Sequence, residues 1–378
     1  MRRTVFKVMT QPLYVITVYN NPLRYRSRKK LFLASSEYLE KSVGVIHYVV
    51  ELACGDRPYE VTEDGNPRHI RFRTRHELWH KETLFNAALT RLPESAEYIA
   101  LVDADVIFSR PDWAVETVEQ LQHYEVVQMW SHAHELGPDY EPLQSHNSFM
   151  FCYISGISPY WDKSNDRPPE HPPSHDTSDK DREDHHHHRH YHHHHRHHHE
   201  YPYESIPEAV EEAPDPKTGL PLPNKSPQGT VYWHPGYAWA YRRGALNSLG
   251  GLIDWAILGA GDHHMAMGLI GELMTASVPP NLNAHYLEMC VEWQNSALQY
   301  VKHNVGYVPG TLIHFWHGKK KTRNYWGRWD VLVENKFDPD CDLKRDTQGI
   351  FQLTDRNYEL RDGIRAYFRA RSEDSIDL

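Results

Sequence analysis

Short β-rich apolar runs alternate with helical segments through the first 130 residues, and this alternation limits the chain to a few architectures. LYVITV (13–18) is a buried strand that ends in a turn at Asn20, Asn21 and Pro22. Residues 26–41 read as a helix and GVIHYVVEL (44–52) as a second strand. A helix is expected over 76–92, where Leu78, Phe85, Leu89 and Leu92 fall near a 3.6-residue period. EYIALVDADVIF (97–108) reads as a third strand running into an acidic turn, WAVETVEQLQ (113–122) as a helix, and EVVQMW (125–130) as a fourth strand. Such an order predicts an α/β fold with a mainly parallel sheet flanked by helices.

Residues 161–230 break the pattern. Fourteen of the chain's 29 histidines lie between positions 171 and 199. Positions 161–215 hold fourteen Asp or Glu against six Lys or Arg, so most of the net charge of −10 sits there and the rest of the chain is nearly neutral. That composition cannot bury enough apolar surface to fold alone, which predicts a disordered His-rich insertion. Neutral imidazoles could bind zinc, nickel or copper there, although an expanded repeat without function accounts for the tract as well. Order is expected again from 231, and 355–378 reads as a charged helical tail. The resulting organisation is 12–155, an insertion at 161–230, then 231–338 and a tail at 339–378.

Four cysteines (Cys54, Cys152, Cys290 and Cys341) form no CxxC pair, as expected of free thiols in a reducing compartment. No window approaches 18 apolar residues, and the N-terminal stretch lacks the apolar run of a signal peptide. These features predict a soluble intracellular protein, cytoplasmic or nuclear, with no membrane partner.

Three segments carry candidate chemistry. Asp103 and Asp105 flank Ala104 at the end of an apolar strand, where open α/β sheets bind ligands, and two carboxylates there can face Mn²⁺ or Mg²⁺. LGAGDHHMAMGLIG (258–271) places Asp262 after Gly259, Ala260 and Gly261, at the expected start of a helix. Its carboxylate could cap that helix or accept a proton from a hydroxyl. TLIHFWHGKKKTRNYWGR (311–328) sets His314 and His317 three apart, ahead of Lys319 and Arg323, which can neutralise phosphates. Trp233, Tyr237 and Trp239 in VYWHPGYAWAYRR could stack on a sugar or simply pack in the core.

This succession of strand, helix, DxD, WHPGYAWA, GAGD and HFWHG resembles the nucleotide-sugar glycosyltransferases of GT-A fold, over roughly 12–155 and 231–335. The resemblance implies a Rossmann-like fold, and a hexosyltransferase-like enzyme that moves a sugar from a nucleotide-sugar donor, a UDP-sugar first among them. It implies Mn²⁺ or Mg²⁺ held by Asp103, Asp105 and His317, with His314 the second choice for the late ligand. Asp262 would be the catalytic base of a direct, inverting displacement, with Gly261 beside it at the acceptor. Thr17 and Asn20 would meet the nucleoside, and Lys81, Asn86, Lys319 and Arg323 the rest of the donor. The Gly-rich motif departs from the family in one respect: His263 stands where many relatives carry a second acid.

Two other readings fit parts of the sequence. A sugar-phosphate nucleotidyltransferase would need a Gly-rich loop after the first strand, and TVYNNPLRYRSRKK has no glycine. A non-enzymatic His-rich metal-binding protein would use the insertion alone. Protein, lipid, glycan, small molecule and hydroxymethylated DNA base stay open as acceptors. Basic clusters at 24–30, 68–75 and 319–328 keep DNA among them.

Overall fold

The structure, a computed structural model, describes residues 11–157, 233–274, 281–323 and 327–376. The expected insertion at 161–230 lies outside the described residues. In chain order the first half contains β1 (Leu13–Asn20), α1 (Arg26–Lys41), β2 (Val45–Cys54), β3 (His69–Thr74), α2 (Lys81–Leu89), β4 (Tyr98–Val102), β5 (Val106–Phe108) and α3 (Trp113–Gln120). β6 (Val126–Gln128), β7 (His132–Leu136), β8 (Pro142–Ser148) and α4 (Phe149–Ile154) complete it. The second half begins with β9 (Trp233–His234), β10 (Ala238–Arg242), α5 (Arg243–Leu249), α6 (Gly261–Leu269) and α7 (Ala284–Ser296). β11 (Val305–Tyr307), β12 (Thr311–His314), α8 (Lys320–Arg323), α9 (Arg328–Glu334) and α10 (Pro339–Asp342) follow. A hairpin of β13 (Leu343–Arg345) and β14 (Phe351–Leu353) leads to α11 (Tyr358–Ala370).

Seven strands form the main sheet in the order β11-β6-β10-β4-β1-β2-β3. All its pairs are parallel except those of β10, which runs antiparallel between β4 and β6. β1 and β4 show why an apolar run marks a central parallel strand. Tyr14, Ile16, Ile99 and Leu101 enter one apolar cluster, and Leu13, Val15, Ala100 and Val102 enter the other, on the opposite face. β2 lies on the far side of β1 from β4, so the strand order reverses at β1, and a ligand site is expected beyond the ends of these strands.

The expected fold class is found, with local differences. The run at 97–108 is not one strand. The turn at 103–105 redirects it, so β4 stays in the main sheet while β5 joins a second sheet, β5-β12-β7-β8-β9. The helix expected over 76–92 is shorter at both ends, and before its start Trp79 donates its N–H to Ile257 O (2.8 Å) instead of entering the helix. β9 packs on α4: the Trp233 ring meets Phe149 edge-on at 5.1 Å and Tyr153 at 6.5 Å. Among the described residues no helix is long and apolar enough to cross a membrane.

Candidate active site

The turn after β4 is pinned from both sides. Asp103 donates its N–H to Tyr237 O (2.8 Å), and Phe315 donates its N–H to Asp105 O (2.9 Å). These bonds draw the end of β4 against the residues before β10 and after β12, and send the two carboxylates apart. Asp103 Oδ1 lies 2.5 Å from Lys81 Nζ, at the first residue of α2. Asp105 Oδ2 lies 3.2 Å from His317 Nε2 and 3.8 Å from His314 Nε2, and the two imidazole nitrogens are 3.2 Å apart. One ligand atom from each of these three residues lies within 4.8 Å of the others, close enough to share one metal ion. Asp105 Oδ1 is buried with no hydrogen-bond partner among the described residues, an oxygen that an ion would satisfy.

Burial dominates the electrostatics of the cluster. Burial pushes the Asp105 carboxyl up, and Arg323, Arg28 and Lys81 oppose it. Burial likewise raises Asp103, with Lys81 opposing and Asp105 reinforcing the rise. Burial, then Arg323 and His314, pull His317 well below the ordinary histidine value, which keeps the imidazole neutral and able to ligate. Burial also depresses Lys81, but Asp103, Glu82 and Asp262 outweigh it, and the ammonium stays charged.

Asp262 sits in the first turn of α6, after two residues of positive φ, Gly259 (93°) and Ala260 (77°). Among the described residues its Oδ1 accepts the neighbouring N–H of His263 (2.9 Å), while Ala260 occupies the N-cap and offers no side-chain bond. Two glycines make room around it. A Cβ on Gly236 would lie 3.0 Å from Asp262 Oδ2, and one on Gly261 would lie 2.9 Å from Ile253 O and 3.0 Å from Cδ of Glu82. Glu82 is 3% exposed and its Oε2 has no hydrogen-bond partner among the described residues. Burial raises its carboxyl to about 8, against Lys81 and with help from Asp262. His263, in the place of a second acid, is lowered to about 4 by burial, with Asp262 opposing.

These groups line one cavity of about 570 Å³. Of the residues singled out in the sequence, Asn20, Lys81, Asp103, Asp105, Tyr237, Asp262, His314, His317 and Arg323 border it. Tyr237 stacks on His234 at 4.2 Å and donates its hydroxyl to Glu135 Oε1 (2.8 Å), which His146 Nε2 approaches at 3.0 Å. The structure does not bring the others to the cavity. Thr17 is buried inside the sheet with Oγ1 2.8 Å from His47 Nε2. Asn86 clamps the loop before α6, accepting from Leu252 N (2.8 Å) and donating to Leu252 O and Asp254 Oδ2 (both 3.0 Å). Trp233 packs in the core, Trp239 donates Nε1–H to Pro235 O (2.7 Å), and Gly261 is covered by Ile253 and Glu82. Lys319 is absent from the lining.

Sequence reasoning missed Arg28, Glu82, Arg371 and Glu373, which also border the cavity. Arg28 donates Nη2–H to Glu373 Oε1 (2.7 Å), and Arg371 donates Nε–H to the same oxygen (2.6 Å). Burial works against ionisation of Glu373, but the two guanidiniums outweigh it and hold the carboxyl far below its usual range. The basic cluster at 24–30 was the one signal for Arg28. Nothing local to 371–373 signalled a place beside a turn some 270 residues earlier.

No family model matches the sequence, and no curated protein matches it. Among solved structures the chain is similar to the catalytic domain of Drosophila beta1,4-galactosyltransferase 7 in complex with xylobiose. That likeness has 10% identity and a TM-score of 0.29 over 72% of this chain and 66% of the other. It is also similar to a variant of the same enzyme in complex with manganese, UDP-Gal and xylobiose, at 10% identity and a TM-score of 0.35 over 92% of this chain and 98% of the other.

Proposed function

We propose that the protein is a metal-dependent glycosyltransferase that moves a sugar from a nucleotide-sugar donor, a UDP-sugar first, to an acceptor hydroxyl with inversion. One observation carries the reading. The Asp105, His314 and His317 cluster and the carboxylate of Asp262 border the same cavity, beyond the end of β4.

Asp105, His314 and His317 would hold the ion, and one oxygen with two imidazole nitrogens suits Mn²⁺ better than Mg²⁺, which prefers oxygen ligands alone. Such an ion, when bound, supplies positive charge that offsets the charge building on the departing diphosphate. The protein adds cations of its own: Arg28, Arg323 and Arg371 border the cavity, and guanidiniums suit phosphate oxygens. Lys81 neutralises Asp103 and leaves Asp105 to face the imidazoles. His234, half-buried at the cavity and stacked on the buried Tyr237, would present its ring to a sugar.

In the reaction the acceptor oxygen forms a bond to the anomeric carbon as the bond from that carbon to the phosphate oxygen breaks. The electron pair leaves with the nucleoside diphosphate, and the acceptor proton passes to Asp262. Among the described residues its carboxylate accepts one backbone N–H, that of His263, so lone pairs remain for that proton. Thermal melts with UDP, GDP and TDP, each with Mn²⁺ and with EDTA, test the reading. Stabilisation by one nucleotide in Mn²⁺ alone supports it, and equal stabilisation in EDTA refutes it.

A further inference from the structure

The residues after α11 run along the loop that carries His317. Gly318, next to that histidine, has φ of +95°, and a Cβ there would lie 3.0 Å from both Cα of Glu373 and O of Ser372. Trp316, between the two imidazoles, donates Nε1–H to Ser375 O (2.9 Å). The Thr322 hydroxyl donates to Arg371 O (2.8 Å), and Arg323 donates Nη2–H to Gly318 O (3.0 Å). On its other side the same stretch grips the start of α1. Asp374 accepts the N–H groups of Ser27 (2.8 Å) and Arg26 (3.1 Å), which lack helical partners there. Glu373, 1% exposed, takes both Arg28 and Arg371 on its carboxylate. Neither guanidinium swings freely: Arg28 also donates Nη1–H to Asn20 O (3.0 Å), and Arg371 donates Nη1–H to Tyr367 OH (3.0 Å).

We propose that residues 371–375 are a positioning element of the nucleotide and metal site. In this arrangement Trp316 and Gly318 dock the His317 loop on the strap, and Glu373 holds Arg28 and Arg371 as a fixed pair of guanidiniums facing a nucleoside diphosphate. The inference rests on the glycosyltransferase reading, since it takes the Asp105 cluster as a cation site and its neighbour as a phosphate seat. Neither Glu373 nor Trp316 is itself a metal ligand. Trp316 acts through the backbone beside His317 and Glu373 through the guanidiniums it fixes, and the loss of outer contacts at metal sites elsewhere lowers metal affinity by roughly 10–100-fold.

Two variants of the full chain test the idea. Glu373→Gln keeps the side-chain shape and removes the charge that fixes the arginines. Trp316→Phe keeps an aromatic ring and deletes the bond to Ser375. Mn²⁺ uptake by the protein alone is read by electron paramagnetic resonance, UDP affinity at saturating Mn²⁺ by calorimetry, and the fold by circular dichroism and the thermal midpoint. Trp316→Phe is expected to weaken Mn²⁺ binding by about tenfold or more, and Glu373→Gln to weaken UDP binding by about tenfold, because two guanidiniums must then be ordered on binding. Altered melting with unchanged affinities in both variants would make the strap merely structural and overturn the inference. Should Glu373→Gln fail to fold, Trp316→Phe decides alone. Wild-type protein that takes up no Mn²⁺ overturns the functional reading and this inference with it, whereas wild-type binding with unaffected variants overturns this inference only.

Discussion

Lys81 Nζ and Asp103 Oδ1 lie 2.5 Å apart, while Asp105, two residues on, turns to the imidazoles of His314 and His317. The two acids of one short motif therefore face different partners, and the proposed site gives them different roles. Asp105→Ala should remove the Mn²⁺-dependent stabilisation by UDP, which at a hundredfold excess over Kd amounts to about 2.7 kcal/mol. Asp103→Asn should retain a reduced part of it, since the Asp105 cluster survives. Melting curves with Mn²⁺ and UDP separate these outcomes, and equal loss in both variants would contradict the division.

Asp262→Asn preserves the size of the side chain and its bond from His263. Transfer should fall by roughly 10²–10⁴-fold, the usual contribution of a general base, with UDP affinity nearly unchanged. Because Ala260 rather than Asp262 holds the N-cap, helix α6 should melt as in the wild type. Steady-state kinetics beside UDP calorimetry read both halves, and full activity would transfer the base role to another group.

Glu82 gives a pH signature. Its carboxyl sits at about 8 in the folded protein, above the ordinary value it regains on unfolding. Between about pH 5 and about pH 8 the native state therefore keeps a proton that the unfolded chain has lost, so stability falls as pH rises. Glu82→Gln is neutral throughout and removes that slope. The variant should gain on the order of a few kcal/mol relative to wild type at the alkaline end and little at the acid end. Denaturant melts across the range provide the check, and parallel curves for the two proteins would rule the shift out.

Asn86→Ala should cost stability and spare the donor. It strips partners from both backbone groups of Leu252 and one from Asp254, which Arg345 also binds at 2.9 Å. Leaving such groups unsatisfied costs about 1–3 kcal/mol. Chemical denaturation should register the loss while UDP affinity with Mn²⁺ stays within error. A large drop in UDP affinity at full folding would restore the donor role expected from the sequence.

The legible part of this molecule is the part set by local physics. β1 and β4 are buried on both faces, so they read as apolar runs, and the acids closing the second run stood out at its end. His314 and His317 were recognisable because they stand three positions apart, with only Phe315 and Trp316 between them. The rest depends on partners distant in sequence. Thr17 looks like a site residue at a strand end until His47 of β2 is seen to take its hydroxyl. Asn86 looks available until the loop at 252–254 closes on it. β10 enters the sheet antiparallel, between strands more than a hundred residues earlier, and no periodicity encodes that choice. Glu373 meets Arg28 across 345 positions.

The packing of Trp233 on Phe149 and Tyr153 has a genetic consequence. It means the described chain departs after α4 and resumes beside the same helix, so the two flanks are joined whatever number of codons separates them. Replication slippage in a run of histidine codons is therefore expected to leave the thermal midpoint of the protein within error, which melts of a series of tract lengths would check. Variation in gene length among close relatives is expected to concentrate at that point, while the spacing from Asp103 to Asp105 and from His314 to His317 stays constant.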